Sequence, residues 1–145
     1  AIDVGKSQIH ERIASNERVV VIDGFNVRQL FDDTQDLPEP LRDAFDVVVA
    51  DLSFISLTSV SQALTARISA NGDLVVLVKP QFEATKREVD KSKGVIADQA
   101  IRDRVIGEVN ESFASEGWVV RGCIESPIHG AEGNVEYLVW YRFKA

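Results

Sequence analysis

The stretch Val47-Val-Val-Ala-Asp-Leu-Ser-Phe-Ile-Ser56 decides how this chain is read. An apolar run behind Asp46 stops abruptly at Asp51, and serine-flanked residues then lead into a helical pattern. An unbroken, valine-rich run of this kind predicts a strand covered on both faces, as in a parallel sheet. Ligands of open α/β sheets sit beyond the carboxyl ends of the strands, which puts Asp51 where chemistry is expected.

Downstream, Leu57, Val60, Leu64 and Ile68 share one face at three- and four-residue spacing, predicting a helix over 57–69 closed by Asn71-Gly72. Asp73 to Val78 reads as a second buried strand, and Pro80 keeps Lys79 extended at its end. Residues 81–94 read as a loop carrying Lys86, Arg87, Lys91 and Lys93. Asp98 begins a long helix reaching about Glu116, as its N-cap or first-turn acid, with Ile101, Val105, Val109 and Phe113 as its apolar stripe. Two last strands, Trp118 to Glu125 and Val135 to Phe143, are joined by a connection too short for a crossover helix, so they run antiparallel. Both tryptophans, Trp118 and Trp140, are expected in the core.

Upstream, Ile2 to Val4 reads as a strand end, followed by a helix over Lys6–Ser15 with Ile9 and Ile13 inward. A strand over Arg18–Ile22, a helical turn over 26–30 and an acidic, proline-punctuated solvated loop over 32–44 complete the chain. Alternation of strand and helix predicts a three-layer α/β sandwich whose sheet is mostly parallel, with an antiparallel last strand.

The 145 residues suit one domain, long enough to bury about two thirds of the surface its unfolded form exposes. Sixteen basic against 23 acidic residues give a net charge of −7, which argues against these residues alone as a strong nucleic-acid binder. No apolar run approaches the roughly 20 residues a membrane helix needs, and no signal peptide is read at the start. Cys123, the sole cysteine, reads as a buried, reduced thiol of a cytoplasmic protein. His10 and His129 stand far apart without cysteine partners, so no metal site is expected. Neither G-x-G-x-x-G nor a P-loop occurs.

Four polar residues fall at strand ends: Asp3, Asp51, Lys79 and Glu136. Asp3 suits the diol of a ribose; capping of the helix at Lys6 explains it equally well. Asp51 alone would read as a helix N-cap. Lys79, at the end of an apolar strand, either snorkels to solvent or meets a carboxylate. Adjacent strands bring Asp51 and Lys79 to one edge, and the reversed last strand starts Glu136 there too. The glycine-bracketed segment Gly130-Ala-Glu-Gly-Asn134 flanks Glu136, and a bare hairpin loop is its plain alternative.

The phrases Ala50-Asp-Leu-Ser-Phe-Ile-Ser56, Val78-Lys-Pro-Gln-Phe-Glu83 and Glu132-Gly-Asn-Val-Glu-Tyr-Leu138 together resemble the TlyA/hemolysin A family of FtsJ-like methyltransferases, from Ile2 to about Arg142. The resemblance implies a Rossmann-like fold that binds S-adenosylmethionine and methylates ribose 2′-oxygens of ribosomal RNA, free or in a ribosomal subunit. It makes Lys79 the general base, with Asp51 orienting it and positioning the donor methyl, and Glu136 holding the hydroxyl or the ammonium. Asp3 would bind the cofactor ribose and Asn26 would line the adenine. The family's first strand, glycine-rich cofactor loop, first catalytic lysine and amino-terminal RNA-binding domain would all precede Ile2. The 145 residues are therefore expected to be a partial methyltransferase domain, inactive alone and binding cofactor weakly or not at all. Two other readings remain: a membrane-active hemolysin, opposed by the lack of a spanning or cationic amphipathic segment, and a non-catalytic α/β binding domain.

Overall fold

The computed structural model describes residues 1–31 and 36–144. Its centre is a four-stranded sheet built from β3 (Phe45–Ala50), β4 (Ile68–Val78), β5 (Trp118–Glu125) and β6 (Tyr137–Phe143), in the order β3-β4-β6-β5. β3 and β4 are parallel, and β6 runs antiparallel to both β4 and β5. β3, β4 and β5 therefore share one direction, with β6 reversed between β4 and β5. β1 (Ile2–Asp3) and β2 (Ile22–Asp23) form a separate parallel pair. Among the described residues, five α-helices, α1 (Glu11–Ala14), α2 (Ser61–Thr65), α3 (Pro80–Glu83), α4 (Lys86–Lys91) and α5 (Gln99–Ser115), and four short 3-10 helices, at Val27–Phe31, Glu39–Leu41, Leu57–Ser59 and Ala131–Gly133, complete the set. The α/β class and the reversed last strand are as expected, but the four-stranded sheet is mixed rather than mostly parallel, with a parallel β3–β4 ladder and antiparallel β4–β6 and β5–β6 ladders.

Register explains which face is core. Val48 and Ala50 lie opposite Leu74 and Val76, and β4 in turn sets Leu74, Val76 and Val78 opposite Tyr141, Val139 and Tyr137. These side chains share one face and pack with Leu57, Val60, Leu64, Val109 and Phe113. Phe113 stacks on Tyr141 with ring centroids 4.6 Å apart, and the Tyr141 hydroxyl donates to Asn110 Oδ1 at 2.6 Å. Each fully buried Val, Leu or Phe side chain contributes about 1.5–3 kcal/mol, so this face carries most of the stability.

The opposite face corrects the first expectation. Val47 and Val49 are 60% and 75% exposed. Being β-branched, they favour the strand whether or not their face is covered, so an unbroken apolar run does not by itself prove two-sided burial. Ile124 and Trp140 are exposed as well. Trp140 is thus not core; its indole N–H donates to Asp73 Oδ1 at 2.6 Å, beside Arg142. Cys123, expected buried, is exposed on β5.

Other boundaries shift for local reasons. The helix expected over 6–15 shrinks to α1, opened by His10 Nδ1 accepting from the Arg12 amide, and Ile13 is exposed because a two-stranded pair offers no broad face to pack on. The strand expected over 18–22 reduces to β2. The helix expected over 57–69 ends at Thr65, since Ile68 already pairs with Phe45 on β3. Asn71-Gly72 lies inside β4, and a side chain on Gly72 would press on the backbone oxygens of Asp46 and Phe45 at 3.0 and 3.1 Å. That glycine admits a close strand approach and does not cap a helix. The loop expected over 81–94 contains α3 and α4, the latter opened by a capping box between Thr85 and Glu88. Within 32–44, residues 32–35 lie outside the described residues, while Leu37 and Leu41 are buried, so this stretch is not simply solvated. The Asp98 cap, the stripe of Val105, Val109 and Phe113, and buried Trp118 are as expected.

Candidate active site

β3 and β4 deliver their last residues to the same sheet edge. Ala50 pairs with Val76, so Asp51 leaves β3 beside Leu77 and Lys79 leaves the neighbouring parallel strand two residues further on, at the same edge. Lys79 is extended (φ −113°, ψ 100°) and Pro80 starts α3 immediately behind it. Proline fits the first helical turn, where no amide donor is needed, and it forces this geometry on the lysine. Lys79 Nζ sits 2.6 Å from Asp51 Oδ1 and donates to Ser53 Oγ at 3.0 Å. The lysine side chain is 12% exposed and the aspartate 69%. The cation is thus held inside the rim while the carboxylate opens to solvent.

The two turns are fastened again further out. Phe54 adopts φ +62°, is 90% exposed and meets Phe82 with ring centroids 5.0 Å apart. Glu83 accepts from Ser56 Oγ at 2.6 Å and from the Leu57 amide at 2.8 Å, and burial pushes its carboxyl up from the usual range. A positive φ at a bulky aromatic is uncommon and costs energy. Here it directs an apolar ring into water beside an ion pair.

Glu136 reaches the same edge from the reversed strand. The β4–β6 ladder ends at Val78 opposite Tyr137, so Lys79 and Glu136 are the next residue on each strand. Glu136 is 5% exposed and accepts from Gln81 Nε2 at 2.8 Å. Its carboxylate lies against Gly130, where an added Cβ would fall 2.1 Å from Oε1. Asn134 is buried and fully used: Oδ1 accepts from the Ile96 amide at 3.0 Å, and Nδ2 donates to the carbonyls of Gly94 and Ala131 at 2.9 and 3.0 Å. It ties the segment after α4 to the loop before β6.

Asp3 and Asn26 lie with the β1–β2 pair. Asp3 Oδ1 accepts from the Gly5 amide at 2.6 Å, and the Asp3 carbonyl accepts from the Phe25 amide at 2.9 Å. No bond to Asp3 Oδ2 or Asn26 Nδ2 is found among the described residues, while Asn26 Oδ1 accepts from the Arg28 amide at 3.1 Å. One carboxylate oxygen at a parallel strand end suits a ribose diol, so these residues fit the nucleoside part of a donor.

The structure therefore joins Asp51 to Lys79 directly and sets Glu136 at the adjoining register position. Sequence reasoning missed four residues here: Ser53, Phe54, Gln81 and Glu83. An aromatic between serines after a strand is a readable sign for Phe54. The partners of Gln81 and Glu83 are 26 or more positions away, and local spacing carries no trace of them.

The reversed strand between two that share a direction, with polar residues gathered at the sheet edge, is an α/β methyltransferase-like fold. The profile of the FtsJ-like methyltransferases matches residues 1–143, and the chain belongs to that family. It is 42% identical over 142 residues to the 16S/23S rRNA (cytidine-2′-O)-methyltransferase TlyA of Mycobacterium tuberculosis, covering 98% of this chain and 50% of that protein. Hemolysin A of Brachyspira hyodysenteriae is 32% identical, over 97% of this chain and 56% of that protein. A crystal structure of a hemolysin-named protein from Lactococcus lactis superposes with a TM-score of 0.84 at 35% identity, over 97% of this chain and 64% of that one. The chain thus spans about half the length of the curated relatives it matches. Among the described residues no helix is long and apolar enough to cross a membrane.

Proposed function

We propose that this chain is a partial FtsJ-like domain of a protein that transfers a methyl group from S-adenosylmethionine to a ribose 2′-oxygen of ribosomal RNA. The observation that carries the reading is the Lys79–Asp51 contact of 2.6 Å at the carboxyl edge of the sheet. A base for a 2′-hydroxyl must stand within hydrogen-bond reach of the proton it takes, and a lysine amine in its neutral form can do so. Asp51 and Ser53 fix the direction of the amine. Asp51, the more exposed of the pair, would also position the donor methyl group. Glu136, one register step along, orients the hydroxyl or stabilises the ammonium that Lys79 becomes.

When bound, S-adenosylmethionine supplies an electrophilic methyl group. Asp3 would hold its ribose and Asn26 would line its base. Phe54 suits substrate contact, because an exposed, fixed ring beside the base offers a stacking surface to an unstacked nucleobase, as single-stranded RNA recognition commonly uses. The cationic side chains of Lys86, Arg87, Lys91 and Lys93, on and after α4, suit phosphate contact, and Glu88 nearby is already paired with Arg104 at 2.7 Å. The relatives named as rRNA 2′-O-methyltransferases support this reading. The hemolysin name is shared by other relatives, and among the described residues no helix is long and apolar enough to cross a membrane. The test is to incubate the full-length protein with labelled donor and ribosomal RNA, digest the RNA to nucleosides and locate the label. Label in 2′-O-methylnucleosides supports the proposal, and label confined to bases refutes it.

A further inference from the structure

Among the described residues Glu136 is the sole acidic or basic residue in the buried set. Its surroundings are asymmetric. Gln81 Nε2 donates to Oε1 at 2.8 Å from one side, and Gly130 closes the other, leaving no room for a Cβ. The amide orientation of Gln81 is fixed by its partner: turned over, its carbonyl oxygen would face the carboxylate acceptor to acceptor. Held as it is, Gln81 Oε1 is buried with no hydrogen-bond partner among the described residues. A buried acceptor without a donor opposes folding, and an apolar residue of similar shape would avoid that cost. Local structure gives the Gln81 side chain no other hydrogen-bonding role among the described residues. It stands two residues after Lys79 on α3, so one short segment carries both the amine and the group that grips Glu136.

We propose that Gln81 is a positioning residue for the reaction. Its amide holds the Glu136 carboxylate against Gly130, at the register position beside Lys79, and so couples the placement of the acid to that of the base. Gln81 acts through Glu136 and does not itself touch substrate. This role rests on the methyl-transfer reading.

The test is a mutant cycle in the full-length protein: Gln81→Leu, Glu136→Gln and the double variant, with folding checked by thermal melting. Groups acting as one unit show non-additive losses. Each single variant should lower kcat by about tenfold or more with KM for RNA within about twofold, and the double should be no slower than Glu136→Gln alone. Losses that multiply in the double variant overturn the proposal and leave the methyl-transfer reading intact. An unchanged kcat in Glu136→Gln overturns the role given to Glu136 and this proposal with it. A second readout needs no activity: in protein labelled with 15N at glutamine, Glu136→Gln should shift the Gln81 side-chain amide signals and speed their hydrogen exchange. Unmoved signals overturn the proposal whatever the enzyme does.

Discussion

Lys79 Nζ lies 2.6 Å from Asp51 Oδ1 and 3.0 Å from Ser53 Oγ, although the lysine and the aspartate are far apart in the chain. The contact exists because β3 and β4 are parallel neighbours: Ala50 ends β3 opposite Val76, and β4 runs on to Val78, which brings Lys79 to the same edge. Removing the carboxylate frees the amine without moving the strand. Asp51→Asn should therefore lower kcat about 10²–10⁴-fold, the usual range for disabling acid–base machinery, with melting temperature nearly unchanged. Initial rates at saturating RNA check this.

Phe54 should govern RNA affinity more than chemistry. Stacking on an aromatic is worth about 1–3 kcal/mol per base, so Phe54→Ala should raise KM for RNA about 5- to 150-fold. Phe54→Trp should restore most of the loss, since the surface stays flat and apolar. Filter binding with a catalytically dead background separates this from kcat.

Gly130→Ala should disturb Glu136 specifically. Its φ of −71° is open to any residue, so backbone conformation is not the obstacle. The obstacle is the carboxylate, 2.1 Å from where the Cβ would lie. Overpacking of this kind costs about 1–3 kcal/mol, and relief by swinging Glu136 outward should cost activity. A denaturant melt and a rate assay on the same sample measure both effects.

Acid should weaken the end of the sheet that lies away from the site. The Arg142 guanidinium and the Trp140 indole N–H donate to Asp73 and hold its carboxyl below the usual value. The unfolded chain then binds this proton more readily than the folded one, so the contribution is present above the unfolded value and lost as pH falls through the folded value. Melting temperature should drop below about pH 4, and Asp73→Asn should flatten that part of the curve.

How much of this is legible in the residues depends on the range of the interaction. Asp98, Val105, Val109 and Phe113 announce their helix because caps and stripes are local. The edge shared by Asp51, Lys79 and Glu136 follows from strand order, which alternation and the short last connection constrain tightly. Thr85-Lys-Arg-Glu88 carries a readable capping box, yet the cationic residues around it point toward a solvated loop and mask the helix. Val47 and Val49 mislead in the reverse direction, because strand propensity looks the same in sequence as burial. Gly72 resembles a helix stop because part of its reason, the Asp46 backbone oxygen of β3 at 3.0 Å, lies far back in the chain; the rest is the nearby Ile68 side chain. The Gln81–Glu136 pair has no local sign at all.

Whether Lys79 is the base for methylation of a ribose 2′-oxygen can be measured by single-turnover transfer of labelled methyl to ribosomal RNA. Full-length wild type and Lys79→Ala are compared, with the product digested to nucleosides. The expected result is label on 2′-O-methylnucleosides in wild type and a rate at least about 10²-fold lower in the variant, with RNA binding retained. A Lys79→Ala enzyme that transfers methyl to the 2′-oxygen at the wild-type rate would contradict the assignment.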